Sequence, residues 1–204
     1  MREEAFPSFF KDVPRIATFD PLAQFLGSVE KGVIKFSYKQ IVKAAGHSCP
    51  TVASAYLMSF KALKTLYPDT LPVRGEIKVA FKEALSAGVT GVISNVISNI
   101  TGATKESGFK GINGKYARHS LMEFEADINL HVRFTRLDTN QSVEVSYNPN
   151  VVPPSPRLQE LMKLINSQNV SEEEMKEFGT LWQERVKKLM IDNFENEEFI
   201  KVVL

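Results

Sequence analysis

The feature that most restricts how this chain folds is a five-residue corner, Gly46-His47-Ser48-Cys49-Pro50, set between two apolar stripes of helical period. Upstream, Ser37 with Gln40 three residues later is a capping-box signature for a helix carrying Ile41, Val42 and Ala45. Downstream, Val52, Ala55, Tyr56, Phe60, Leu63 and Leu66 recur at helical spacing from Thr51 to about Tyr67, and Pro68 closes the run. Glycine and proline on either side bracket a sharp, rigid bend. Cys49 therefore sits at a helix start, where unpaired N–H groups and the positive end of the helix dipole favour a thiolate. His47 lies two residues upstream on the same bend. Imidazole and thiolate together suit a borderline-soft ion such as zinc, or a base with its nucleophile. A lone cysteine is also commonly a small packed hydrophobe, and the residues alone leave all three readings open.

Composition narrows the setting. Cys49 is the only cysteine, which excludes an intramolecular disulfide framework and fits a reducing compartment. A net charge of +1 gives no electrostatic reason to expect nucleic acid or an anionic membrane as partner. The opening residues, Met-Arg-Glu-Glu-Ala-Phe-Pro, contain no apolar run of signal-peptide length, and nothing later approaches a membrane span, so a cytoplasmic protein is expected.

Before the corner, Phe6, Phe9, Phe10 and Phe19 are scattered without helical or strand period and interrupted by Pro7 and Pro14, the pattern of an arm lying across another surface. Asp20-Pro21 reads as an N-cap followed by proline, opening a short helix with Leu22, Phe25, Leu26 and Val29 that stops near Gly32. After the long helix, residues 74–82 alternate, with Ile77, Val79 and Phe81 on one face of a half-buried strand. Val89, Val92, Ile93, Val96, Ile97 and Ile100 then mark a helix starting near Gly88, despite the low helix propensity of its β-branched residues. The glycine-rich stretch 101–115 fails as a phosphate loop: its glycines are misplaced, and Tyr116 stands where Ser or Thr would hold magnesium. Strands are predicted over 116–124, 128–137 and 142–147, with Asp138-Thr139-Asn140-Gln141 as a hairpin turn.

The expected fold class is α+β: an antiparallel sheet with helices packed on it, plus a C-terminal helical hairpin. Residues 1–148 form the core with its N-terminal arm, 149–156 a proline-rich linker, and 157–204 the helical appendage. In the appendage Leu158, Leu161, Met162 and Ile165 mark one helix, and Ser171 with Glu174 caps a second. Residues 193–204 are expected to add a last turn or fray.

From the corner, the long helix and the Ile100-Thr101-Gly102-Ala103-Thr104 segment with Gly111, Gly114 and Lys115 downstream, the chain resembles the formylmethanofuran dehydrogenase E-subunit family over roughly residues 37–147. The resemblance implies an α+β core, a homodimer, and a metal site with His47 and Cys49 as ligands. It also brings Asn95, Thr101, Thr104 and Lys110 towards the surrounding pocket as candidate cofactor-binding residues. This sequence has Val92 and Ala103 where members often carry cysteine, Asn95 where they often carry aspartate, and a cysteine-free hairpin where some carry a zinc finger.

The expected function is thus a metal-binding protein, with zinc or another divalent transition metal as cofactor and a small-molecule ligand possible. The remaining ligands have to come from elsewhere: His119, His131, a carboxylate such as Glu83, an asparagine or a second copy of the chain. The alternatives are a thiol-dependent enzyme with Cys49 as nucleophile and His47 as base, and a non-catalytic dimeric accessory module acting through the hairpin and the aromatic arm.

Overall fold

The computed structural model describes residues 4–204, and they form an α+β fold. In chain order the elements are β1 (Ile16–Phe19), α1 (Pro21–Phe25), β2 (Val33–Phe36), α2 (Tyr38–Ala45), α3 (Pro50–Leu66), β3 (Ile77–Phe81), α4 (Thr90–Thr101), β4 (Met122–Glu123), β5 (Val132–Arg136), β6 (Ser142–Tyr147), α5 (Pro156–Asn166), α6 (Glu172–Lys187) and β7 (Ile200–Val203). The larger sheet has the order β4-β3-β5-β6-β7, antiparallel except for the short β3–β4 pair, and β1 and β2 form a separate antiparallel ribbon.

Local chemistry sets the helix ends. The capping boxes at Ser37–Gln40 and Ser171–Glu174 are both formed, each satisfying N–H groups that a helix start leaves unpaired. Gly46 ends α2 in the left-handed conformation (φ 77°), and Pro50 opens α3 after a Cys49 cap. The helix over the β-branched run forms because Ile93, Val96, Ile97 and Ile100 are all buried. Burial of four large side chains outweighs their propensity cost of some tenths of a kcal/mol each.

Several expectations change. The N-terminal aromatics lie on the chain's own body: Phe9 and Phe10 are core residues, Phe10 meets Tyr38 edge to face, and Ile16–Phe19 pairs with β2. α1 stops at Phe25, since Gly27 turns the chain at φ 71°. The strand predicted over 116–124 shrinks to Met122–Glu123 because Tyr116, Ser120 and Glu125 take positive φ, which breaks an extended run. Residues expected to fray at the C-terminus instead include β7, which pairs with β6 while Phe199 and Ile200 enter the core.

The C-terminal helices are tied to the rest by specific contacts. Arg185 donates to Val152 O and Pro149 O, gripping the proline-rich stretch, and Arg157 holds Glu177 bidentately across α5 and α6. Val186, Leu189 and Met190 share one core with α3.

Two facts fix which residues meet. The C-terminus of α3 meets the sheet where β3 begins, since Leu66 O accepts from Arg136, whose register partner is Ile77. The C-terminus of α4 is at that end too, since Thr101 O accepts from Gly75 N. The packed pair therefore runs parallel, with both N-termini at the opposite end of the sheet.

Candidate functional site

At the N-terminal end of the pair, the corner is held from several sides. Cys49 is half-buried, and its Sγ accepts from Val52 N at 3.4 Å. His47 is exposed, with Nδ1 at 3.0 Å from Ala45 O; as a donor there it leaves Nε2 as the free ring nitrogen. Ser48 Oγ lies 3.0 Å from the Tyr38 hydroxyl, and Ser48 O accepts from Trp182 Nε1 at 3.0 Å and Gln183 Nε2 at 3.1 Å. Burial pushes the Tyr38 phenol well above its ordinary value; Ser48 opposes this and the charge of Cys49 adds to it. Among the described residues, no group of three or more His, Cys, Asp and Glu side chains is placed to hold a metal ion.

The other candidates lie elsewhere. Asn95 is exposed midway along α4, and Lys110 is exposed on the long loop. Thr101 is fully buried: its hydroxyl donates to Ile97 O at 2.8 Å and accepts from Ala103 N at 3.2 Å, which is local helix-end bonding. Thr104 Oγ1 donates to Arg118 O at 2.8 Å. Thr101 ends α4 and Thr104 follows it; the twelve residues of that helix span about 18 Å, so both threonines lie at the far end from Cys49. His119 bonds its neighbour Ser120. His131 accepts from Tyr147 N and shares a pocket of about 310 Å³ with Glu83, with the corner residues absent from its lining.

The far end holds a cluster that no sequence motif marks. Asp20 caps α1, its Oδ1 accepting from Ala23 N at 3.0 Å and from Arg118 Nη2 at 2.7 Å, while Oδ2 accepts from Arg74 Nη1 at 2.9 Å. Arg74 also donates from Nε to Ile100 O and from Nη2 to Asn99 O, placing a cation at the negative end of the α4 dipole. Its guanidinium stands 5.2 Å from the Phe36 ring centroid.

Arg118 is 7% exposed and packs against Gly75 (φ 83°) and Gly102 (φ 76°). A Cβ on Gly102 would stand 3.0 Å from Nη1, and one on Gly75 would overlap the guanidinium. These two glycines are therefore needed both for their left-handed backbone and for the space they leave. Nη1 of Arg118 is buried without a hydrogen-bond partner. Burial pulls both guanidiniums below their ordinary pKa, and Asp20 opposes this in each case; at Arg118 the charge of Glu76 opposes it too, and at Arg74 the charge of Arg118 adds to the lowering.

Asp20, Arg74, Arg118 and Thr104 line one pocket of about 430 Å³. In sequence, Asp20 reads only as a helix cap, Arg74 only as the start of a strand, and Thr104 enters only through the family resemblance. Arg118 carries no local signal. The available hint is Arg74-Gly75 beside Thr101-Gly102, two glycines at element ends that a buried guanidinium requires.

Comparison with models of known protein families finds no match, and comparison with curated proteins finds none either. Among the described residues, no helix is long and apolar enough to cross a membrane.

Proposed function

We propose that this chain binds a small anionic molecule in the pocket formed by Asp20, Arg74, Arg118 and Thr104. The observation that carries the reading is one of charge: two largely buried guanidiniums hydrogen-bond a single carboxylate, Asp20, while Glu76 acts on Arg118 only through its charge. A buried cation without full compensation is costly, and so is a buried donor without a partner, at about 1–3 kcal/mol. A bound anion supplies the missing charge. Arginine is suited to that task because its planar fork matches carboxylate and phosphate oxygens. A calorimetric titration of the full chain with acetate at low, constant ionic strength tests this. Saturable binding of one acetate, lost in Arg74→Gln, is expected. Absence of saturable heat in folded wild-type protein contradicts it.

A second reading rests on His47. With Nδ1 on the Ala45 carbonyl, Nε2 is left free on an exposed ring, an orientation common among metal-ligating histidines. The Cys49 thiol at its helix start is a suitable soft partner. Two donors fall short of the three or four that zinc takes from protein, so one chain alone does not fit the ion. This reading therefore requires a homodimer that shares the site. Elemental analysis of protein purified without added metal, beside a His47→Ala, Cys49→Ala variant, tests it: zinc in the wild type only supports it, and metal-free wild type rejects it.

A further inference from the structure

The charge and the walls of the same pocket narrow its ligand further, an inference that rests on the anion-binding reading above. Among the described residues lining it, Asp20, Arg74 and Arg118 are the ionisable ones, so its formal charge is +1. The Asn99 and Ile100 carbonyls that receive Arg74 belong to the negative end of α4 and lower the local potential. Glu76, outside the lining, also acts on Arg118, so the excess is at most one positive charge and one negative charge is the most it takes. A dianion leaves one charge uncompensated in a partly desolvated site.

The pocket is also larger than a simple ion fills, and much of its wall is apolar. Leu22, Leu26 and Phe109 line it, with Leu26 60% and Phe109 42% exposed. Next to Leu26, Phe25 stacks on Tyr116 with ring centroids 5.2 Å apart and extends the apolar surface onto the long loop. Large side chains left open to water beside a pair of guanidiniums make an amphiphilic cavity, with an anchor for charge and a platform for a hydrocarbon body. We infer that the pocket takes an organic monocarboxylate with a ring-sized apolar body, its carboxylate at Arg74 and Arg118 and its body on Leu26 and Phe109.

Calorimetry on the full chain at constant ionic strength, with acetate, benzoate, inorganic phosphate and benzamide as probes, tests this. Benzoate is expected to bind at least ~10-fold more tightly than acetate, the gain from burying a phenyl group. Phosphate is expected to bind more weakly than benzoate, and uncharged benzamide to give no saturable heat. Leu26→Ala with Phe109→Ala, both at exposed positions, is expected to lower benzoate affinity by about the same factor. Equal affinities for benzoate and acetate, preference for phosphate, or an unchanged double variant each overturn the inference and leave the anion pocket standing, whereas benzamide bound as tightly as benzoate overturns both. Absence of saturable binding by both acetate and benzoate removes the pocket reading itself.

Discussion

The two ends of the α3–α4 pair handle polar groups differently. At the corner, residues 46–50 lie together in the chain, and their groups meet close partners: His47 with Ala45 O, Cys49 with Val52 N, and Ser48 with Tyr38, Trp182 and Gln183. The buried atom there without a partner is a neutral amide oxygen, Gln183 Oε1. At the other end, Asp20 meets Arg74 across 54 positions and Arg118 across 98, so two guanidiniums hydrogen-bond one carboxylate and a guanidinium nitrogen stays unpaired. The corner looks more chemical in sequence. The arginine cluster is the one whose charge is left incomplete, and incomplete charge in a pocket is what a ligand corrects.

Removing Asp20 challenges this contrast most severely. Asp20→Ala removes the one carboxylate that both largely buried guanidiniums hydrogen-bond, and a loss of about 3–5 kcal/mol in urea unfolding is expected. Cys49→Ala at the corner is expected to lose only about 1 kcal/mol, because a weak sulfur cap and a half-buried thiol are removed. The reverse order would make the corner the structurally demanding end.

Gly75→Ala comes next, at about 2–3 kcal/mol, since it adds backbone strain at φ 83° to displacement of Arg118. Gly27→Ala, at φ 71° with no neighbour within 4 Å, is the control. It carries the backbone cost alone, about 1 kcal/mol. Equal losses would show that the guanidinium is not crowded at Gly75.

Trp182→Phe removes the indole donor to Ser48 O and leaves Gln183 in place. A loss of about 1 kcal/mol is expected, together with faster alkylation of Cys49 as α6 loosens over the corner. An unchanged alkylation rate would show that α6 does not shield the thiol.

The smallest effect is at Tyr67, beside Arg136 at the arginine-cluster end. Its hydroxyl is buried without a partner, and burial pushes its pKa up to about 12 from an ordinary 10.0. Because the folded value is the higher one, the neutral phenol stabilises the fold fully below pH 10 and this contribution is lost as pH rises through 12. Tyr67→Phe should therefore leave stability at pH 7 within about 1 kcal/mol of wild type and flatten its alkaline decline. An alkaline decline identical to wild type in unfolding curves would assign that loss to other groups.

Much of the fold is legible in the sequence because its signals are local. The Ser37 and Ser171 caps, the Ile93–Ile100 stripe and the Ser142–Tyr147 strand each follow from residues a few positions apart. What stays hidden depends on distant partners. The last residues look frayed until β6 offers them an edge, and residues 116–121 look like a strand until Arg118 is drawn inward to Asp20. The site follows the same rule. His47 and Cys49 are visible as a motif, while Asp20, Arg74 and Arg118 are three ordinary charges until β1, β3 and the long loop converge.

The decisive measurement is an NMR titration of the ¹⁵N-labelled 204-residue chain with acetate at low ionic strength. Anion binding at the arginine cluster predicts saturable shifts of the Gly75, Gly102 and Thr104 amides, with those of His47, Ser48 and Cys49 unmoved. No saturable shift at the first group, or shifts centred on the corner, would contradict it.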